Sequence, residues 1–387
     1  MPLPNIGLLI EVSNAHARGL IRGISRYAQA NGPWELRLIE RLYPADIRRW
    51  LAATPFDGLI VRAETPAVAE AIAETRRRVV NVGGSRIAGP WTRVDTDNSA
   101  VCGLAAAHLI ERGYRCFGFC GMPRHEWSAW RRDDFAAALK ERGLACESIE
   151  LPSLALERIL AEKDRRALGQ WIAQLPKPLG VMACNDHCGR AVLEACREAG
   201  VRVPDDVGVI GVDNDDLICE LCSPPLSSIE ANCDQIGYVA AETLGRMLRG
   251  ERRNIKEILI KPTTLVSRRS TDATAVREPI VAEALRFIRA YGCTDIGAAE
   301  VAGHVHVSRR YLEQQFRKLA GRSIHREIQR VRLETAQRLL GETDWCLQVI
   351  AERAGFKQAA HMSGLFFKRL RLRPGEYRRR IQNRLET

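Results

Sequence analysis

Polar side chains gather where short apolar runs end. Ser13, Asn14, His16 and Arg18 follow Ile6–Val12, Asn185 and Asp186 follow Gly180–Cys184, and Asp213 to Asp216 follow Val207–Val212. Arg131 opens a helical stretch after Arg115–Gly121, beside Trp127, Trp130 and Trp91. Aromatic faces stack on apolar C–H faces, while carboxylates, amides and a guanidinium pair with hydroxyls. A small sugar asks for both. The candidate effector ligands are therefore Ser13, Asn14, His16, Trp91, Trp130, Arg131, Asn185, Asp186 and Asp213. Asp186 and Asn98 serve equally well as helix N-caps. No catalytic constellation accompanies them: there is no P-loop, GxSxG, HExxH or GxGxxG after a strand. His108 and His125 lack a Ser or Cys partner at a recognisable spacing. No cofactor and no metal are expected. Among twelve cysteines, Cys219-x-x-Cys222 with Cys233 and Cys184-x-x-x-Cys188 lack a second pair at zinc spacing. They read as small buried hydrophobes.

A second constellation lies near the other end. Ala302, His306-Val307, Leu312 and Phe316 recur as Ala351, Gly355-Phe356, Met362 and Phe366. Each copy predicts a short helix, a tight turn and a second helix with an apolar stripe, which is a helix-turn-helix. Gly355 supplies the positive φ of such a turn, His306 takes that place in the first copy, and Ser308 caps the helix that follows. Off the stripes lie Arg309, Arg310, Tyr311, Glu313, Gln314 and Arg317 in the first unit, and Lys357, Gln358, Ala360, His361 and Ser363 in the second. Arg310 suits guanine, Gln314 adenine and Glu313 cytosine. A helix over 323–340 joins the units, with Arg322, Arg326 and Arg330 four residues apart. Like charges so spaced repel, and a phosphate strand would relieve this, with Arg378-Arg379-Arg380 adding to it. Two adjacent major grooves of double-stranded DNA are the expected partner.

The charge agrees. Of the formal +11, the residues from Arg277 onward carry +10 and the first 276 only +1, so a polyanion partner is expected for the C-terminal part alone. With 387 residues, 46% hydrophobic and 27% charged, the chain is expected to form two or three globular domains. Its apolar runs are too short for a membrane helix, and Met1-Pro2-Leu3-Pro4-Asn5 has no export signal, so a cytoplasmic protein is expected.

These sites need two kinds of scaffold. Up to about residue 265, apolar runs (6–12, 34–39, 58–61, 79–82, 115–120, 180–183, 207–212) alternate with helical stretches (17–30, 99–112, 131–141, 161–174, 187–199, 234–248). That pattern predicts an α/β fold of parallel sheets with helices on both faces, in one large sheet or two smaller ones. The turn-rich patches 111–114 and 222–228 suit crossings between two lobes. Beyond Pro279 everything reads as helix.

The C-terminal residues 280–380 resemble the AraC/XylS family of transcription regulators. The likeness rests on Ala302, Ser308, Leu312, Phe316 and Gly321, on Ile350–Phe356 and Phe366, and on Pro374-Gly375-Glu376-Tyr377-Arg378. Met362 stands where an aromatic is usual, and Arg371 where a glycine is. Residues 4–268 resemble the LacI-type, periplasmic-binding-protein-like sensor. Here the matching pieces are Asp97-Asn98, Arg131-x-x-x-Phe135, Asn185-Asp186, Val203–Val207, Gly211–Asn214 and Pro225–Ile229, with Cys102 where a glycine is common. The resemblance implies a two-lobed sensor at 4–268, a linker at 269–278 and a double helix-turn-helix domain at 279–382. In such sensors the positions of Arg131, Asn185 and Asp213 bond the effector's hydroxyls. The fusion is similar to the xylose-operon regulators. It implies a sugar-responsive homodimer that activates a pentose (D-xylose-like) operon with RNA polymerase. A different sugar, a repressor, and a nucleic-acid-modifying enzyme are the alternatives.

Overall fold

A computed structural model describes every residue except 1–2, 40–43, 86–88, 90, 124, 154–159, 252–254, 273–278, 371 and 383–387. It divides into two units, Met1–Ala273 and Thr274–Thr387. The first holds two sheets of six strands. One contains β1 (Asn5–Leu9), β2 (Glu35–Ile39), β3 (Gly58–Val61), β4 (Arg78–Asn81), β5 (Thr92–Thr96) and β11 (Glu257–Ile260), in the order β11-β5-β4-β3-β1-β2 and all parallel. The other contains β6 (Cys116–Gly121), β7 (Cys146–Glu150), β8 (Leu179–Ala183), β9 (Val207–Val212), β10 (Ser227–Glu230) and β12 (Thr264–Val266). Its order, β12-β10-β9-β8-β6-β7, repeats the first, with only β10–β12 antiparallel. In each sheet the winding reverses beside the first strand, and the crevice at the carboxyl ends there is where open α/β sheets bind ligands.

The first sheet is packed on both faces. Ile6, Leu8 and Ile60 turn to one side, under α1 (Ala15–Asn31) and α9 (Cys233–Leu248). Leu9, Leu59 and Val61 turn to the other, under α2 (Pro44–Ala53) and α3 (Pro66–Ala73), as the two-residue period of a strand dictates. The α1 and α9 backbones touch: a Cβ on Gly23 would lie 1.9 Å from the Asp234 carbonyl oxygen, and one on Gly237 2.0 Å from that of Leu20. The second lobe carries α4 (Asn98–Glu111), α5 (Glu126–Lys140), α6 (Glu162–Gln174), α7 (Asp186–Glu198) and α8 (Asp216–Leu221). Both β8 and β9 are buried along their whole length.

Two corrections follow. The crossings between lobes are not at 111–114 and 222–228, which connect elements within the second lobe (α4 to β6, α8 to β10). The chain crosses between β5 and α4, between β10 and α9, and between β11 and β12, so strands after residue 227 complete both lobes. Within the stretch assigned to the linker, Arg269–Thr271 form a 3-10 turn with Ser270 and Thr271 buried. Ser270 donates to the Val209 carbonyl (2.6 Å) and accepts from the Ser227 N–H (2.8 Å). Residues 273–278 of that stretch lie outside the described residues.

The second unit is helical throughout its described residues: α10 (Pro279–Tyr291), α11 (Ala298–His304), α12 (Arg309–Ala320), α13 (Ile324–Glu342), α14 (Leu347–Arg353), α15 (Ala359–Leu370) and α16 (Pro374–Gln382). The expected stripes form two cores, around Leu312 and Phe316 and around Met362 and Phe366. The long helix α13 serves both, giving Ile324, Ile328 and Val331 to the first and Leu333, Ala336, Leu339 and Leu340 to the second. His306 adopts φ 54° and Gly355 φ 81°. Arg371 lies outside the described residues. No described helix is long and apolar enough to cross a membrane.

Candidate functional site

At the carboxyl ends of the strands the two lobes face each other. His16, in the first turn of α1, is buried, with Nδ1 3.6 Å from Asp213 Oδ1 of the second lobe and 3.1 Å from Cys233 Sγ. Burial opposes the imidazolium, but Cys233 and Asp213 outweigh it and push the His16 pKa up to about 10. Arg131 of α5, also buried, donates from Nε to Asn98 Oδ1 (2.9 Å) and from Nη1 to the Cys184 carbonyl (2.5 Å), with Nη2 3.8 Å from Asp213 Oδ1. Burial alone would raise the Asp213 carboxyl, yet His16, Arg131 and Arg62 hold it below the usual carboxylate range.

Asp213 Oδ1, Trp127 Nε1 and Thr96 Oγ1 are buried without a hydrogen-bond partner. Leaving such atoms unpaired costs ~1–3 kcal/mol each, a cost that structures tolerate where a ligand completes them. Arg131 lies 5.2 Å from the Trp127 ring, and Trp127 rests on Gly84 of the other lobe, where a Cβ would meet it at 2.8 Å. Arg93 of β5 lies 4.8 Å from the Trp130 ring. The lobes are also tied by Asp215, which accepts from the Ala15 N–H (3.2 Å) and from Arg18 (3.2 Å).

The other expected ligands have different employment. Asn14 caps α1 by accepting from the Ala17 N–H at 2.9 Å, and Asn185 caps α7 by accepting from the Cys188 N–H at 3.0 Å. Asp97, not Asn98, caps α4, which leaves Asn98 to hold Arg131. Asp186 is no cap, and both of its oxygens are engaged within the second lobe. Oδ1 accepts from Ser228 Oγ (2.5 Å) and Oδ2 from the Asp215 N–H (2.7 Å), and burial followed by the nearby Asp213 charge pushes its pKa up to about 8. It braces the loop that carries Asp213. Trp91 packs on the core under α2 and α3, and Ser13 is exposed. Trp127, which the sequence sets beside Arg131, is not among the expected ligands, and the residues missed are Arg93 and Asp95. These two pair at 2.8 Å within β5, whose Thr-Arg-Val-Asp-Thr sequence conceals a buried strand.

In the C-terminal unit Ser308 accepts from the Tyr311 N–H (3.3 Å) and caps α12. Arg309, Arg310, Tyr311, Gln314 and Arg317 are exposed along that helix, and Lys357, Gln358, Ala360 and His361 at the start of the α15 region, with Ser363 half-buried. Glu313 is half-buried and 4.0 Å from Arg317. The arginine row formed by Arg322, just before α13, with Arg326 and Arg330 on it, is a correction. Glu327, fully buried, is clamped by Arg322 and by Arg330 (2.7 Å), and Arg330 also pairs with Glu334 (2.5 Å). Their charge is relieved inside the protein, so only Arg326 stays exposed, with no ion pair among the described residues. The two arginines outweigh burial and hold the Glu327 pKa at about 2. Arg378 is likewise engaged, donating to the Trp345 carbonyl.

Two family models match, a periplasmic binding protein-like domain over residues 106–271 and a helix-turn-helix domain over 301–380. The chain is 31% identical over 386 residues to the xylose operon regulatory protein of Escherichia coli K12, covering 96% of each. It is 30% identical over 382 residues to that of Haemophilus influenzae, covering 96% of this chain and 97% of the relative. Among solved structures, a xylose-binding transcription activator matches over 97% of both chains, at 29% identity and a TM-score of 0.64. A regulator complexed with D-xylulofuranose matches 69% of this chain and 99% of its own, at 22% identity and a TM-score of 0.56, which is a likeness of fold alone.

Proposed function

The chain belongs to the family of the xylose operon regulatory proteins, and from that premise we propose that it is a D-xylose-responsive activator whose sugar sits between Asp213, Arg131 and His16. It is a transcription regulator, not an enzyme. The observation that carries the sugar site is the buried Asp213 Oδ1, which has no hydrogen-bond partner and lies 3.6 Å from a first-lobe cation and 3.8 Å from a second-lobe one. Both separations exceed a hydrogen bond, so this oxygen keeps an acceptor site for a sugar hydroxyl. Trp127 supplies an indole N–H and a ring face. A ligand held by both lobes favours the closed arrangement over the open one, which makes occupancy a switch. The exposed polar faces of α12 and of the α15 region are the reading surfaces for two major grooves, with Arg326 on a phosphate.

Two further parts of the reading concern assembly and place. Leu217 and Leu221 of α8, 71% and 82% exposed, are the most exposed large apolar side chains among the described residues. They favour a second copy of the chain as partner. Activation in turn calls for contact with RNA polymerase, which places the protein in the cytoplasm at the nucleoid. Thermal unfolding with D-xylose, D-ribose, L-arabinose and D-glucose tests the sugar. At ~100 times Kd the cognate sugar should add about 2.7 kcal/mol to the native state. A shift with ribose or glucose and none with xylose would reassign the effector.

A further inference from the structure

The chain leaves the sensor through the second lobe, past β12 and the 3-10 turn, and one side chain at that exit reaches back to the ligand cleft. Arg268, 12% exposed, donates from Nη1 to Asn214 Oδ1 (2.9 Å) and to the Leu226 carbonyl (3.0 Å), and from Nε to Glu220 (2.8 Å), and pairs with Asp216 (3.2 Å). Asn214 is the immediate neighbour of Asp213. Both adopt positive φ, 101° and 49°, a conformation that costs a non-glycine residue energy and persists only where its surroundings impose it. The Asn214 N–H is fixed on Ser228 Oγ (3.0 Å) and its carboxamide on Arg268. On the other side of Arg268 the polypeptide is bolted down. Thr271 pairs with Ser227 (2.7 Å) and His108 (2.8 Å), and Ser267 accepts from Arg112 (2.7 Å). The sensor ends at Ala273, five residues beyond Arg268.

We propose that Arg268 is a positioning residue that couples the Asp213–Asn214 turn to the segment leading into the DNA-binding unit. The inference rests on the reading that a sugar binds at Asp213 and that the second unit binds DNA. A hydroxyl bound by Asp213 loads a turn with few alternative backbone states. Whatever displaces that turn displaces the Asn214 carboxamide and, through the guanidinium, the exit strand. Neither Asn214 nor Arg268 is among the residues assigned to the sugar, so affinity for sugar and response to sugar become separable quantities.

The test uses the full chain and three variants. N214G keeps the left-handed backbone and removes the acceptor, R268Q removes the fork, and N214D keeps the acceptor and adds charge opposite Arg268. Calorimetry gives the D-xylose Kd, and fluorescence anisotropy gives operator affinity with and without D-xylose. For N214G and R268Q the sugar Kd should stay within about threefold of the unaltered chain. The sugar-dependent change in operator affinity, typically about 5–150-fold for such coupling, should fall towards one, and N214D should retain it. A full response in N214G and R268Q overturns the proposal. So does a sugar Kd that weakens in step with the response, which would place both residues in the binding site. The unaltered chain separates the two levels of failure: if it binds no D-xylose or shows no sugar effect on DNA, the underlying reading falls first.

Discussion

Asp213 concentrates the chemistry of the sensor. Its carboxylate is held ionised by His16 and Arg131, and Cys233 and Asp213 in turn favour the His16 imidazolium against its burial. Charge-assisted bonds to sugar hydroxyls are worth ~1.5–3 kcal/mol each, so Asp213→Ala should weaken D-xylose binding at least about tenfold in calorimetry. An unchanged affinity would make Asp213 a structural residue of the turn. At the other site, exposed Arg310 and exposed Arg326 should behave differently. Replacing Arg310 should relax the preference at one base position, at ~1–3 kcal/mol, whereas replacing Arg326 should weaken all sequences alike. Competition binding against single-base operator variants distinguishes them, and uniform losses for both would remove Arg310 from base reading.

Helix α13 shows how far periodicity can be read. Its apolar residues announce the two cores it serves, and the repeat on either side of it predicts both turns down to the positive φ at His306 and Gly355. The partners of its arginines were illegible, because the (i, i+3) and (i, i+4) positions of Glu327 and Glu334 decide the matter only once burial is known. The strands tell the same story. Buried, apolar β8 and β9 stand out, whereas β7 and β11 have exposed, charged positions and β5 hides an ion pair. Such composition resembles a loop until a neighbour supplies the pairing. For Glu327 the prediction concerns acid. A native pKa of about 2 against an ordinary 4.5 means that the native state binds fewer protons than the unfolded chain between those values. Stability therefore rises with pH across that window, is fully present above about pH 5, and is lost as pH falls through it, by about 3 kcal/mol. Glu327→Gln leaves Arg322 and Arg330 without their shared anion and should cost ~3–5 kcal/mol. Acid unfolding followed in the full chain checks both; an unchanged acid limb would show that the clamp adds no stability.

At the scale of the molecule, a net +10 from Arg277 onward should make DNA binding strongly salt-dependent. If ~8 phosphates are neutralised, log K falls with log salt at a slope near −7, and a slope near zero would remove the phosphate contacts. Two reading units in each chain, together with the proposed pairing of two chains through Leu217 and Leu221, imply that D-xylose should change affinity for a paired operator far more than for a half-site. Leu217→Lys with Leu221→Lys should yield monomers in analytical ultracentrifugation and abolish that difference. Equal sugar effects on both sites would exclude geometry between chains.

The three crossings between lobes also constrain how such a protein can be made and remade. The first lobe's core needs Ala231, Cys233 and Ile236 of the α9 region, and its sheet needs β11, so it is unfinished until the ribosome has passed residue 260. The simple order of N-terminal domain first is closed to it, while most of the second lobe emerges as one continuous insertion. For the same reason neither lobe can be exchanged between relatives as an uninterrupted piece of gene. The DNA-reading unit, a single tail after Ala273, can be. Within this architecture operator choice is a cassette, and sugar choice has to evolve in place.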